Sequence, residues 1–398
     1  MFIVLSEVVE NMVKNGIEAV ELSAWMAAYI GEAEVIDEYT VKINKVASHT
    51  KLLEFLAEYL YIVSPTAYEK DPKGFAKNPV GSGAYKFKEI GQDGYIYMEA
   101  NEDYFRGAPY FKKLVFRTPL DPSTAVVALQ NGEVDMAFML PPEQIKLVQN
   151  DKNLNVISSE GYGVKSVFLE GPNLMNDQNL RKAIYHGINR ENAIIFGNAP
   201  EGTKPAENIF AAKMMGDHAG FMDIGGYDLE LAKEYLAKSN YDGRTLKLTI
   251  TQDLANIAQS VQEDLKALGV KTEINQMDSN AFWAAFADGS CDITIADWGC
   301  TYASLEEQMG FHAGNGYYGK IVYNTPEFDK ALENASNEWD AEKRAKYTEE
   351  ALRMTHDFAN MVPLYDTTLS DVYSAKLDGV QEIWSATYNL YLYQLKLK

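Results

Sequence analysis

Residues 245–299 read TLKLTITQDLANIAQSVQEDLKALGVKTEINQMDSNAFWAAFADGSCDITIADWG. The period of the apolar residues switches four times in this stretch. Thr245–Thr251 alternates as a strand, 256–269 has helical spacing closed by Gly269, and 270–277 is again a strand. A helix over 280–289 and a strand over 291–299 complete the series. A β-α-β-α-β order calls for right-handed crossovers and a parallel sheet covered by helices. In such sheets ligands bind beyond the carboxyl ends of the strands. ADWGCTYAS, residues 296–304, lies at one such end.

Upstream, residues 6–31 read as helix and EVIDEYTVKINK, 34–45, as an extended segment. HTKLLEFLAEYL, 49–60, is helix-like. NPVGSGAYKF, 78–87, has the glycines of a phosphate-cradling loop, but alternating strand residues follow them and no Gly-Lys-Ser/Thr does. It reads instead as a turn into a β-hairpin, AYKFKEI and GYIYMEAN around GQDG. Farther on, Asp121 or Ser123 can cap a short helix ended by Asn131-Gly132, and Val134–Met139 reads as a buried strand. PPEQIKLVQN is a short helix, and VKSVFLEGPN a strand ending in a turn. NDQNLRKAIYHGINRENAIIFG and DLELAKEYLAKSN are helical. After the central block come a long helix over 341–359, MVPLYDT and a tyrosine-rich tail of short strands.

The chain has 398 residues, enough for two lobes. With 36 basic and 57 acidic residues its net charge is −21, which disfavours binding to nucleic-acid phosphates. No apolar run is long enough to span a membrane. The start MFIVLSEVVENM lacks the basic segment, apolar core and cleavage site of a signal peptide. The two cysteines, Cys291 and Cys300, are too few for a disulfide framework or a thiolate metal site, although their spacing permits one bridge.

No constellation of residues compels catalysis. The five histidines, at 49, 186, 218, 312 and 356, have no ligand-like spacing. Neither a Gly-x-Ser-x-Gly elbow nor a Cys-His pair is present. No cofactor and no metal is expected. Asp297-Trp298 at a strand end is a local candidate, equally readable as a strand-terminal acid beside a core tryptophan.

Several separated segments resemble one family, the family 5 solute-binding proteins of ABC importers, which bind oligopeptides, dipeptides or nickel. NPVGSGAYKF is similar to its Asn-Pro-Val-Gly-Thr-Gly-Pro-Tyr-x-Phe motif, and ANEDYFRGAPYFKKLVFR follows as it does in the family. DPSTAVVALQNGEVDMA and NLRKAIYHGINRENAI resemble two further segments, in the same order and over nearly the whole chain. The resemblance implies a two-lobed, type II periplasmic-binding-protein-like α/β fold with mixed sheets. Two crossing segments, near Phe168–Asn173 and Leu364–Ser370, would form the hinge. Lobe I would take 1–169, lobe II 170–366, and 367–398 would return to lobe I. It further implies a monomer, without enzymatic activity, that captures a peptide or small polar ligand outside the cytoplasm and delivers it to the importer's permease subunits. The ligand sensor of a regulator built on the same lobes is the alternative.

Three departures qualify the resemblance. SEVVENM resembles a helix that in the family follows a long stretch of lobe I and an export signal, both absent from this sequence. Thr301 stands where peptide-binding members carry the aspartate that pairs with the peptide ammonium, and Ile295 where some carry an arginine. These leave room for sugars or modified peptides. By resemblance, ligand contacts are expected from Trp298, Gly299, Cys300, Thr301 and Tyr302, with Asp297, Tyr162, Tyr317 and Tyr318 beside them.

Overall fold

The computed structural model describes residues 30–45, 52–53, 56, 62–117, 121–218, 225–299, 305–314, 316, 318–383 and 391–398. The helix read over 6–31 and most of that over 49–60 lie outside the described residues. Ile30 and Gly31 already belong to a strand, β1 (Ile30–Val35), which pairs antiparallel with β2 (Val41–Lys45). The extended segment is thus a hairpin, turned where the Asp37 carboxylate accepts from the Tyr39 N–H at 2.8 Å.

NPVGSGAYKF leads into β3 (Tyr85–Ile90), which pairs with β4 (Ile96–Ala100), and β4 with β5 (Lys113–Phe116). Asp121 caps α1 (Pro122–Gln130) by accepting from the Ser123 and Thr124 N–H groups. The strand expected over Val134–Met139 shrinks to β6 (Met136–Ala137). Only the end of a later strand is there to pair with it, and Met139 leaves the sheet with φ +57° and a 61% exposed side chain. After α2 (Pro142–Val148), β7 (Leu154–Leu169) is far longer than VKSVFLEGPN suggested.

The helical block 178–196 is two helices, α3 (Gln178–Gly187) and α4 (Arg190–Phe196). The chain breaks where Ile188 turns extended and Asn189 caps the second helix. Asp228 caps α5 (Leu229–Lys238). The central block follows in the expected order: β8 (Thr245–Thr251), α6 (Ala255–Leu268), β9 (Lys271–Met277), α7 (Ser279–Asp288) and β10 (Ile293–Gly299). Gly269 and Gly289 end the two helices in the left-handed conformation that an L side chain disfavours. Then come α8 (Leu305–Gly310), α9 (Pro326–Asn337), α10 (Ala341–Phe358) and β11 (Met361–Ser374). No described helix is long and apolar enough to cross a membrane.

The central sheet has the order β6-β11-β7-β10-β8-β9. β10, β8 and β9 run parallel as the crossovers require, whereas β7 and β11 are antiparallel to their neighbours, so the sheet is mixed. Alternation along the strands divides the core. Val167, Leu169, Ile293 and Ile295 pack under Ile184, Ala193, Ile257 and Val261 of α3, α4 and α6. Phe168, Ala296 and Trp298 face the other way, against Phe282, Phe286, Met309, Phe328 and Leu352 of α7 to α10. Phe168 and Leu169 therefore sit in the two cores beside β10.

The pairing of β7 with β11 slips twice, between Pro363 and Tyr365 and between Asp366 and Thr368. Opposite the slips lie Gly161 and Gly163, where an added Cβ would come within 2.8 and 2.9 Å of Thr367 Oγ1. Just past β7, Gly171 has φ +75°, and a Cβ there would lie 2.3 Å from the Cys291 carbonyl oxygen. Gly171→Ala is expected to destabilise the fold by about 2–4 kcal/mol, read as a lower urea midpoint. An unchanged midpoint would mean that this backbone relaxes freely.

Candidate functional site

β10 aligns with β8 only through Ile293 and Thr294, yet it pairs with β7 from Ile293 to Gly299. Among the described residues it is therefore paired from Ile295 onward on its β7 side alone. The gap beside it, beyond the carboxyl ends of β8 and β9, is a cleft of about 610 Å³. Its floor is Ile295, Ala296 and Asp297 of β10 with Lys165 of β7. Its walls are Thr251–Leu254 from the end of β8, and Gln276–Ser279 with Phe282 and Trp283 from the end of β9 and the start of α7.

Strand pairing sets Asp297, Lys165 and Tyr365 side by side in one row across three strands. Lys165 Nζ lies 2.6 Å from Asp297 Oδ1, with the lysine largely buried and the aspartate more than half exposed. Burial, and after it the Asp297 charge, push the Tyr365 phenol above its ordinary range. Asp278 is spent locally: its Oδ1 accepts from the Asn280 and Ala281 N–H groups at 3.0 and 3.1 Å and caps α7. Trp283, one residue past the buried Phe282, is 43% exposed. Phe282 and Phe286 hold it edge-on, with ring centroids 5.1 and 5.6 Å away.

The residues expected from the strand end separate by side of the sheet. Asp297 lines the cleft. Trp298, the next residue, turns to the opposite face and is only 7% exposed. Its ring is enclosed by Phe168, Phe311, His312 and Tyr318, at centroid distances of 4.5–5.7 Å. Tyr318 is buried in that same aromatic cluster. Gly299 lies against Gly163, where a Cβ would meet the Gly163 Cα at 2.8 Å. Tyr162 packs beside Val164 on the far side of β7, with the Lys213 ammonium 4.8 Å above its ring. Cys300, Thr301, Tyr302 and Tyr317 lie outside the described residues.

Cys291 is a free, buried thiol, so the bridge its spacing allowed is not formed. The cleft also brings together Lys165, Thr251, Gln252, Asp253, Gln276, Asp278, Ser279 and Trp283, which sequence reasoning did not single out. The signal was present: the carboxyl-end rule applies to all three parallel strands, and β8 and β9 end at Thr251 and Met277.

A mixed sheet threaded by two long antiparallel strands, with a ligand-sized cleft at the carboxyl ends of its parallel strands, defines a two-lobed α/β binding-protein fold. Residues 8–319 match the bacterial extracellular solute-binding proteins, family 5 middle region, and the chain belongs to that family. The oligopeptide-binding protein AppA of Bacillus subtilis is 26% identical over 298 residues, covering 69% of this chain and 54% of that protein. The chain thus spans about half the length of the curated relatives it matches. Among solved structures, a putative peptide-binding protein AppA from Clostridium difficile superposes with a TM-score of 0.82 at 22% identity. That match covers 100% of this chain and 85% of the other. DppA from Helicobacter pylori, in complex with the peptide STSA, gives 0.81 at 23% identity over 94% of this chain and 75% of the other.

Proposed function

We propose that the chain captures a peptide or similar small polar ligand in the cleft beside β10 and passes it unchanged to an ABC importer outside the cytoplasm. The observation that carries this reading is the edge of β10 from Ile295 to Asp297, paired on one side and bordering the cleft on the other. An extended backbone can add to such an edge as a further strand, while the walls receive its alternate side chains. The ligands named for the two AppA proteins and for DppA are peptides, which agrees with this geometry.

Residues 1–169 form lobe I in this reading, 170–366 lobe II, and 367–398 the return to lobe I. The double slip of β7 against β11, facing Gly161 and Gly163, supplies the hinge, because few residues there need change φ/ψ for closure. A sugar or modified peptide is the second reading, favoured by the amides of Gln252 and Gln276 and the half-open Trp283 in the lining.

Short peptides should raise the melting temperature of the purified protein, and mass spectrometry should recover them intact. N-methylation of the peptide backbone should weaken binding by about tenfold or more, since it removes the donors a strand edge needs. Hydrolysis of the bound peptide, or indifference to N-methylation, would overturn the reading.

A further inference from the structure

We propose that the cleft selects ligands carrying a positively charged side group, which lies against the face of Trp283 and pairs with Asp253. The inference rests on the cleft being the ligand site. Four charged residues line it: Lys165, Asp253, Asp278 and Asp297. Lys165 and Asp297 neutralise one another at 2.6 Å. The Asp278 oxygen is used by the α7 N-cap, so the positive end of that helix is already matched and offers nothing to an anion. Asp253, on the short turn Gln252–Leu254 that follows β8, is exposed and makes no hydrogen bond or ion pair with the described residues. The cleft thus presents carboxylate charge in excess and no unpaired cation.

The second observation is aromatic and independent of those carboxylates. Trp283 is the exposed tryptophan of the cleft, fixed in place by edge contacts from Phe282 and Phe286. Its indole is 43% exposed at the cleft wall, and no lysine or arginine of the described residues lies over it. An indole face attracts a cation, more strongly when water is partly excluded, and a concave wall of one sign of charge focuses the field on it. A ligand ammonium or guanidinium would satisfy both groups together. An anionic side group would meet the surplus carboxylates instead.

The test uses three tripeptides with identical termini, Ala-Lys-Ala, Ala-Ala-Ala and Ala-Glu-Ala, titrated calorimetrically into the whole chain. Ala-Lys-Ala should bind about tenfold more tightly than Ala-Ala-Ala, and Ala-Glu-Ala more weakly than either. Asp253→Asn should shrink the lysine advantage to about threefold or less. Trp283→Ala should weaken Ala-Lys-Ala by about fivefold, whereas Trp283→Phe should retain most of its affinity. Both positions are exposed, so the variants are expected to fold, and an unchanged circular dichroism spectrum will establish that. Equal affinities for the three peptides, or a preference for Ala-Glu-Ala, would overturn the charge selection and leave the binding reading standing. A lysine advantage unaltered by both substitutions would overturn the assignment to Asp253 and Trp283. Failure of all three peptides to bind would overturn the binding reading and this inference together.

Discussion

Glu170→Gln should leave stability unchanged near pH 4.5 and raise it at pH 8 by on the order of 4 kcal/mol. Glu170 is fully enclosed just past the end of β7; Thr294 Oγ1 donates to its Oε1 at 2.8 Å, and Oε2 has no partner among the described residues. Burial pushes the carboxyl up from 4.5 to about 8, opposed by the Thr294 hydrogen bond and reinforced by the charges of Asp292 and Asp288. Between those two values the folded protein holds a proton that the unfolded chain has released. Stability therefore falls as pH rises from about 4.5, and the loss is complete once pH passes about 8. Glutamine keeps the acceptor for Thr294 and has nothing to ionise. Urea denaturation of both proteins at pH 5 and pH 8.5 measures the effect. Parallel stability profiles would show that Glu170 ionises freely in the folded state.

His312→Phe should have the opposite pH signature. The imidazole is wholly buried among Phe210, Trp298 and Tyr318, and neither ring nitrogen has a hydrogen-bond partner among the described residues. Burial alone holds its pKa down, from 6.5 to about 4. Below about pH 6.5 the unfolded chain binds a proton that the folded one refuses, so stability declines as pH drops toward 4, by on the order of 3 kcal/mol. Phenylalanine suits an aromatic cage and leaves no buried polar atom unpaired. The variant should be more stable at pH 7 by about 1–2 kcal/mol, with the margin widening on acidification. Melting curves from pH 7 to pH 4.5 test this; a margin that stays constant, or a less stable variant at pH 7, would refute it. With both titrating groups removed, the double variant should lose the pH dependence contributed by this pair.

Local signals carried much of the architecture. The helices of the central block are read correctly because their boundaries are chemical: Asp278 caps α7, and Gly269 and Gly289 supply the left-handed ends. The hairpin of β3 and β4 follows from alternation around GQDG. The misreadings fall where partners are distant. β6 is short because only Val372 and Tyr373 come alongside it, some two hundred and thirty residues later in the chain by the pairing of Met136 with Tyr373. β7 is long because β11 accompanies it from Leu154 to Phe168, a match that no local window contains.

The sequence by itself determined the family, the β-α-β order and the end of the sheet at which the cleft lies. Those depend on capping, periodicity and short motifs, all of which act within a few residues. Only the tertiary structure decided which side chains the cleft receives. Adjacent residues on a strand point to opposite faces, so the same segment sends Asp297 into the cleft and Trp298 into an aromatic core. Which face is open depends on how far β8 accompanies β10 and on the helices that cover the other side. That is settled by packing between distant elements, and it puts Trp283 rather than Trp298 in the cleft wall.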